Sequence, residues 1–259
     1  MENPYKIKII KAIQKFGRVY SVWNVFSDFV ELGALSIANS YKDGSELWKK
    51  RESQYLNTIG KYNADEQEIL VLAFADLIMA LEYAVHNGDP SDVLGEIFHA
   101  LELHNKYKGQ FFTPQHVCDM MSEIISGDVE EAIKKNGYVS LCEPCCGSGA
   151  MVLGFAKSML NKRLNYSAQL FVEATDIDLK CVYMCYLQLS LYGIPAVVIH
   201  GNTLTVEEWT RFHTPVYIAG LWHYKRGVVG TDNKKRGANL PSVCGEQITL
   251  EDLERGAPK

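Results

Sequence analysis

No run in this 259-residue chain approaches the roughly 20 consecutive apolar residues that a membrane span requires. The start, Met1-Glu2-Asn3-Pro4-Tyr5-Lys6, lacks the charged-then-apolar build of a signal peptide. An excess of positive charge is missing too. The net charge is −5, whereas a free-standing nucleic-acid binder is usually basic. Contact with DNA therefore requires a local patch or a basic partner. No Cys-x-x-Cys pair is duplicated as a zinc ribbon requires, and the seven histidines form no helical metal pair, so no metal site is expected. The seven cysteines are odd in number and sit in apolar or turn contexts, which reads as reduced thiols in the cytoplasm. Repeats and low-complexity blocks are absent. Hydrophobic content of 47% against 22% charged leaves enough to bury a sizeable core.

Strand-like alternation is also missing from the first hundred residues. Residues 5–107 read as helical. Apolar residues recur at spacings of three and four in Val19, Val22, Val25, Phe26, Phe29 and Val30, and again in Ile69, Leu70, Ala73, Leu77 and Leu81. Asn63 with Glu66, and Ser91 with Glu96 beyond it, resemble helix starts. Asn87-Gly88-Asp89-Pro90 is a turn. The pattern changes after Gly109, and a helix follows Pro114. From 138 the order is strand, helix, strand, helix, strand, helix, strand. The strands are expected at 138–143, 170–175, 196–200 and 216–219, and the helices near 149–162, 178–192 and 205–211. Such alternation implies a parallel sheet with right-handed crossovers.

The most informative stretch is Glu143-Pro144-Cys145-Cys146-Gly147-Ser148-Gly149, straight after the apolar run 138–142. Gly147 and Gly149 allow backbone angles closed to other residues and let the main chain approach a ligand. A helix N-terminus beside them favours negative charge. Glu143 lies at the strand's carboxyl end, where open α/β sheets bind ligands. One acid and a cradle of amides suit a small zwitterion. Asp176 follows the second strand and is placed to accept hydrogen bonds from ribose hydroxyls. A helix N-cap is the plain alternative, a role Asp178 fills equally well. Gly109-Gln110-Phe111-Phe112-Thr113-Pro114 is either a capped hydrophobic staple or a segment touching the ligand's amino-acid end. Cys142, Cys145, Cys146, Cys181 and Cys185 read as small apolar fillers.

Gly-Gln-Phe-Phe-Thr-Pro, Glu-Pro-Cys-Cys-Gly-Ser-Gly and Ala-Thr-Asp-Ile-Asp, in this order and spacing, resemble the N-6 adenine DNA methyltransferases, and most the modification subunits of type I restriction systems. The resemblance covers about residues 105–222. It implies an α/β, Rossmann-like S-adenosylmethionine-dependent methyltransferase core behind a helical N-terminal region. The expected layout is a helical region at 1–107, the core at 108–223 and a basic tail at 224–259. The resemblance further implies that S-adenosylmethionine is the cofactor. Phe112 and Thr113 would meet its methionine part, lined by Glu143, Pro144, Cys145, Gly147 and Gly149. Asp176 would bind the ribose and Ile177 would lie against the adenine. His200-Gly201-Asn202-Thr203-Leu204 departs from the family's Gly-Asp-Thr-Leu, and Asn202 would bond the adenine amino group as a neutral substitute. DNA is the implied partner, through a specificity subunit, and a homo-oligomer is a separate expectation.

The departures from that family are as informative. After its fourth strand the family carries Asn-Pro-Pro-Tyr or Asn-Pro-Pro-Phe, whose amide and carbonyl accept from the target amino group while the aromatic stacks on the flipped base. Here Gly220-Leu221-Trp222-His223-Tyr224 falls in that place, and no Pro-Pro occurs anywhere. Gly220, Trp222 and Tyr224 are the nearest positions to the missing motif. The family fold normally has seven strands, and this sequence supplies four. Lys225, Arg226, Lys234, Lys235 and Arg236 make the tail basic, which reads as a solvated tail or a phosphate contact.

Overall fold

The computed structural model describes residues 3–103 and 113–226. Helices come first: α1 (Pro4–Lys15), α2 (Val22–Ala38), α3 (Glu46–Ile59), α4 (Ala64–His86) and α5 (Val93–Ala100). Their starts follow local chemistry. Asn3 caps α1, with Pro4 in the first turn where its missing N–H costs nothing. Asn63 and Glu66 form a reciprocal capping box on α4. The cap of α5 is Asp92 rather than Ser91, one residue later than the sequence pattern placed it.

One expectation is corrected in this half. By length and composition α4 is apolar enough to cross a membrane. Its face of Leu70, Ala73, Leu77, Ala80, Leu81 and Ala84 is buried in the core. The other face exposes Val71, Leu72, Ile78 and Met79.

Beyond residue 113 lie α6 (Gln115–Ile125), α7 (Val129–Asn136), β1 (Val139–Glu143), α8 (Ala150–Asn161), α9 (Tyr166–Gln169), β2 (Leu170–Asp176), α10 (Leu179–Leu191), β3 (Ala196–Asn202), β4 (Glu207–His213) and α11 (Pro215–Ala219). Among the described residues the sheet has four strands in the order β1-β2-β3-β4. The first three are parallel, with Val139 opposite Leu170 and Val172 opposite Ala196. The architecture is an open α/β sheet flanked by helices, a Rossmann-like core preceded by the N-terminal helices. Residues of α2, α4, α5, α8, α10 and the sheet's inner face belong to one continuous hydrophobic core. The helical half is thus the wall against which the α/β half is built.

The chain after β3 departs from the sequence reading. Where a helix is expected near 205–211, Glu207–His213 instead form β4, which runs antiparallel to β3. Residues 215–219, expected as the last strand, form α11. Two local features explain this. A bulge at His200/Gly201 lets β4 close on β3, and a Cβ on Gly201 would come within 2.4 Å of the Glu207 carbonyl oxygen. At the other end, Thr214 is fully buried. Its Oγ1 donates to Ile194 O at 2.8 Å and accepts from Ala196 N at 2.9 Å. With Thr214 fixed at the start of β3, Pro215 has no N–H for a ladder and a φ preset for a helix.

Candidate cofactor site

The carboxyl ends of β1, β2 and β3 converge, and the turn from β1 into α8 lies across them. Gly147 has φ 52° and Gly149 φ 100°, both in the left-handed region. At Gly149 there is no spare room, because a Cβ would stand 3.3 Å from Cys185 Sγ. The turn is fastened to β2 by two hydrogen bonds. Cys146 N donates to Thr175 O at 2.9 Å, and Gly147 N donates to Asp176 Oδ2 at 2.8 Å. Gly149 caps α8 without a side chain of its own, so no capping group accepts from the first-turn amides there.

The acids at and just after the end of β2 divide the work that the sequence left open. Asp178 caps α10, accepting from Lys180 N at 2.9 Å. Asp176 does not cap the helix. It is buried, with Oδ1 accepting from Asp178 N at 2.9 Å and Oδ2 from the glycine turn. Each carboxylate oxygen has a second lone pair to offer.

Glu143 ends β1, and its Oε1 accepts from Cys145 N at 3.2 Å. Burial pushes its carboxyl above the ordinary range. The Cys145 amide opposes that shift and the nearby charge of Asp176 adds to it. Two carboxylates facing one site favour a cation between them.

The loop after β3 closes the third side. Thr203 Oγ1 donates to Pro144 O at 2.6 Å, crossing the end of β2. Asn202 Oδ1 accepts from Leu204 N at 3.0 Å and Thr205 N at 3.4 Å, so its amide oxygen shapes this loop. Ile177 is 60% exposed. Behind it, His200 Nε2 stands 3.2 Å from Ile177 O, and Trp209 packs edge-on to the His200 ring at 4.7 Å. Sequence reasoning missed Trp209, because residue 209 was expected inside a helix; the β-forming run Trp209-Thr210-Arg211-Phe212 was the available signal. Cys145 is exposed, whereas Cys146 is buried against Cys185. Thr113 is exposed and its carbonyl accepts from Cys118 Sγ at 3.7 Å. Phe112 lies outside the described residues.

The residues expected to replace the substrate motif lie elsewhere. Trp222 is 1% exposed and packs with Tyr138, at 5.3 Å between ring centroids, and with Phe171 at 6.3 Å. Gly220, Trp222 and Tyr224 line a groove with Gly137 and Ala168, which precede β1 and β2. This is the amino end of the parallel strands, opposite the glycine turn. Gly220, Trp222 and Tyr224, the nearest positions to the missing motif, therefore lie away from the glycine turn. The expectation rested on a fourth parallel strand at 216–219, and an antiparallel β4 returns the chain to the other end of the sheet.

Left-handed glycines, open helix amides, a half-buried acid and a second acid on the next strand fit a ligand carrying carboxylate, ammonium and ribose hydroxyls. Comparison with known proteins points the same way. Residues 90–232 match the N-6 DNA methylase family. A stretch of 111 residues is 26% identical to the methylase subunit of the type I restriction enzyme MpnII from Mycoplasma pneumoniae. That stretch is 42% of this chain and 19% of the relative, so the similarity spans about a fifth of that protein's length.

Proposed function

We infer from one premise, that this chain belongs to the N-6 DNA methylase family, a DNA adenine N6-methyltransferase-like role in a restriction-modification or mobile-element system. The family's cofactor is S-adenosylmethionine, and the residues at the carboxyl end of the sheet fit it. The observation that carries the reading is the glycine turn fastened to Asp176 by the Gly147 amide.

The roles follow from the chemistry of each group. The amides of the turn and of the α8 start hold the carboxylate of the methionine part. Glu143 holds its ammonium, with Cys145 and Thr113 beside it. Asp176 accepts from the ribose hydroxyls, Ile177 lies against the adenine, and Asn202 and Pro144 set the loop that faces it. S-adenosylmethionine supplies a methyl group on a sulfonium, which an amine nitrogen takes directly as the carbon–sulfur bond breaks. The protein's part in such a transfer is positioning and electrostatic stabilisation. DNA is the proposed acceptor, reached with a specificity subunit that supplies the positive charge this acidic protein lacks.

A second reading has its own support. The Asn-Pro-Pro-aromatic motif is missing from the sequence, and residues 220–224 sit at the far end of the sheet. That favours a protein that binds the cofactor without transferring its methyl group, as a regulatory or assembly subunit. One assay separates the two. The purified chain is incubated with unmethylated DNA and methyl-labelled S-adenosylmethionine, and cofactor binding is measured in parallel. Label at adenine N6 establishes the enzyme. Binding without label establishes the silent subunit, and no binding overturns both.

A further inference from the structure

The inference drawn here rests on the cofactor reading above and concerns what holds the glycine turn in place. Asp92 is 5% exposed and stands where four chain segments meet. Its Oδ1 accepts from Gly95 N at 2.8 Å, capping α5. The same oxygen accepts from Gln188 Nε2, on α10, at 2.8 Å. Its Oδ2 accepts from Ser148 Oγ, inside the glycine turn. Its own N–H donates to Gln115 Oε1 at 3.2 Å, on the first residue of α6 and two residues past Thr113.

Gln188 completes the junction. It is fully buried, its Nε2 also donates to Ser148 O at 2.7 Å, and its Oε1 accepts from Leu94 N at 3.0 Å. The fit leaves no slack, since a Cβ on Gly95 would come within 2.0 Å of Asp92 Oδ2.

A helix cap alone does not require this arrangement. Caps usually lie at the surface, and a neutral Ser or Asn serves as well. Burying a carboxylate is costly unless several donors compensate. Here three donors from three segments do so, and one of them is the side chain between the two left-handed glycines. Ser148 is 1% exposed and points inward, so its hydroxyl serves the junction rather than a ligand.

We propose that Asp92 is a positioning residue for cofactor binding, one buried carboxylate through which the helical half of the molecule sets the glycine turn. Through its backbone it also ties down the start of α6, beside Thr113. Burial pushes the Asp92 carboxyl up, and the hydrogen bonds from Ser148, Gln188 and the Gly95 amide oppose that shift.

The test uses Ser148→Ala, which cuts the direct bond between Asp92 and the turn and leaves the Gln188 bond to Ser148 O in place, with Asp92→Ala and Asp92→Asn beside it. Each variant and the wild type are titrated calorimetrically with S-adenosylmethionine, and amide hydrogen exchange is followed without ligand. Ser148→Ala is expected to weaken binding about tenfold, the loss of one charge-assisted hydrogen bond. Exchange at residues 146–150 speeds up, while exchange in α1–α4 stays as it was. Asp92→Ala loses more, and Asp92→Asn recovers part of it by keeping an acceptor for Gly95 and Gln188. The proposal is overturned if Ser148→Ala and Asp92→Asn both bind like wild type while Asp176→Ala binds poorly. Should the wild type itself not bind, the cofactor reading fails and this inference fails with it. Because Ser148→Ala keeps every other bond at the junction, the test survives even if Asp92→Ala does not fold.

Discussion

At the scale of single residues the site is a matter of which carboxylate does what. Glu143 is half-buried beside Asp176, and its carboxyl is raised chiefly by burial. A bound ammonium favours the ionised form. S-adenosylmethionine affinity is therefore expected to rise as pH rises through the Glu143 pKa and to level off once it is ionised. Glu143→Gln keeps the shape, weakens binding by about tenfold or more and flattens that pH dependence. Titrations between pH 4 and 7 check this; an unchanged slope in the variant would assign the dependence to another group. Both acids of the proposed site were visible in the sequence because each stands at the end of a strand. The division of labour between Asp176 and Asp178 was not, since two acids two residues apart are equivalent as text. Only the Gly147 and Lys180 amides tell them apart. Asp92 was hidden for the same reason: its neighbours Ser148 and Gln188 lie 56 and 96 residues away in the chain.

At the scale of elements, the helices and the first three strands follow from patterns that act locally. Periodic apolar faces, the Asn63–Glu66 capping box and the short apolar runs at β1, β2 and β3 are each decided within a few residues. The exchange of helix and strand after β3 was decided over a longer distance. Val216-Tyr217-Ile218 has strand-forming residues, but Thr214 is anchored to Ile194 ahead of β3 and to Ala196 at its start, and Pro215 starts a helix. Glu207 and Glu208 look like an acidic first helical turn, yet the bulge at Gly201 draws them into the sheet. This places Trp222 in a small core with Phe171, Val197, Ile199 and Tyr217. Trp222→Ala is accordingly expected to cost about 3 kcal/mol of stability by leaving a cavity. Its affinity for S-adenosylmethionine should stay within about twofold of wild type under conditions where the variant is folded. Denaturant unfolding and calorimetry measure the two effects. A variant with unchanged stability but lost binding would return Trp222 to the site.

At the scale of the whole molecule, the carboxyl ends of three parallel strands are drawn together by a few cross-links. Gly147 and Cys146 bind the turn to β2, and Thr203 reaches back to Pro144. The helical half continues the same core and reaches the turn through Asp92. The two halves are mechanically one unit around the cofactor site, and the aromatic groove at Trp222 lies at the opposite end of the strands. The central claim is that S-adenosylmethionine binds at the glycine turn. Amide hydrogen exchange on the free and S-adenosylmethionine-loaded protein tests it most directly. New protection is predicted at residues 143–150, 175–178 and 202–205, with none at 219–225. Protection confined to 219–225, or no protection anywhere at saturating cofactor, would contradict it.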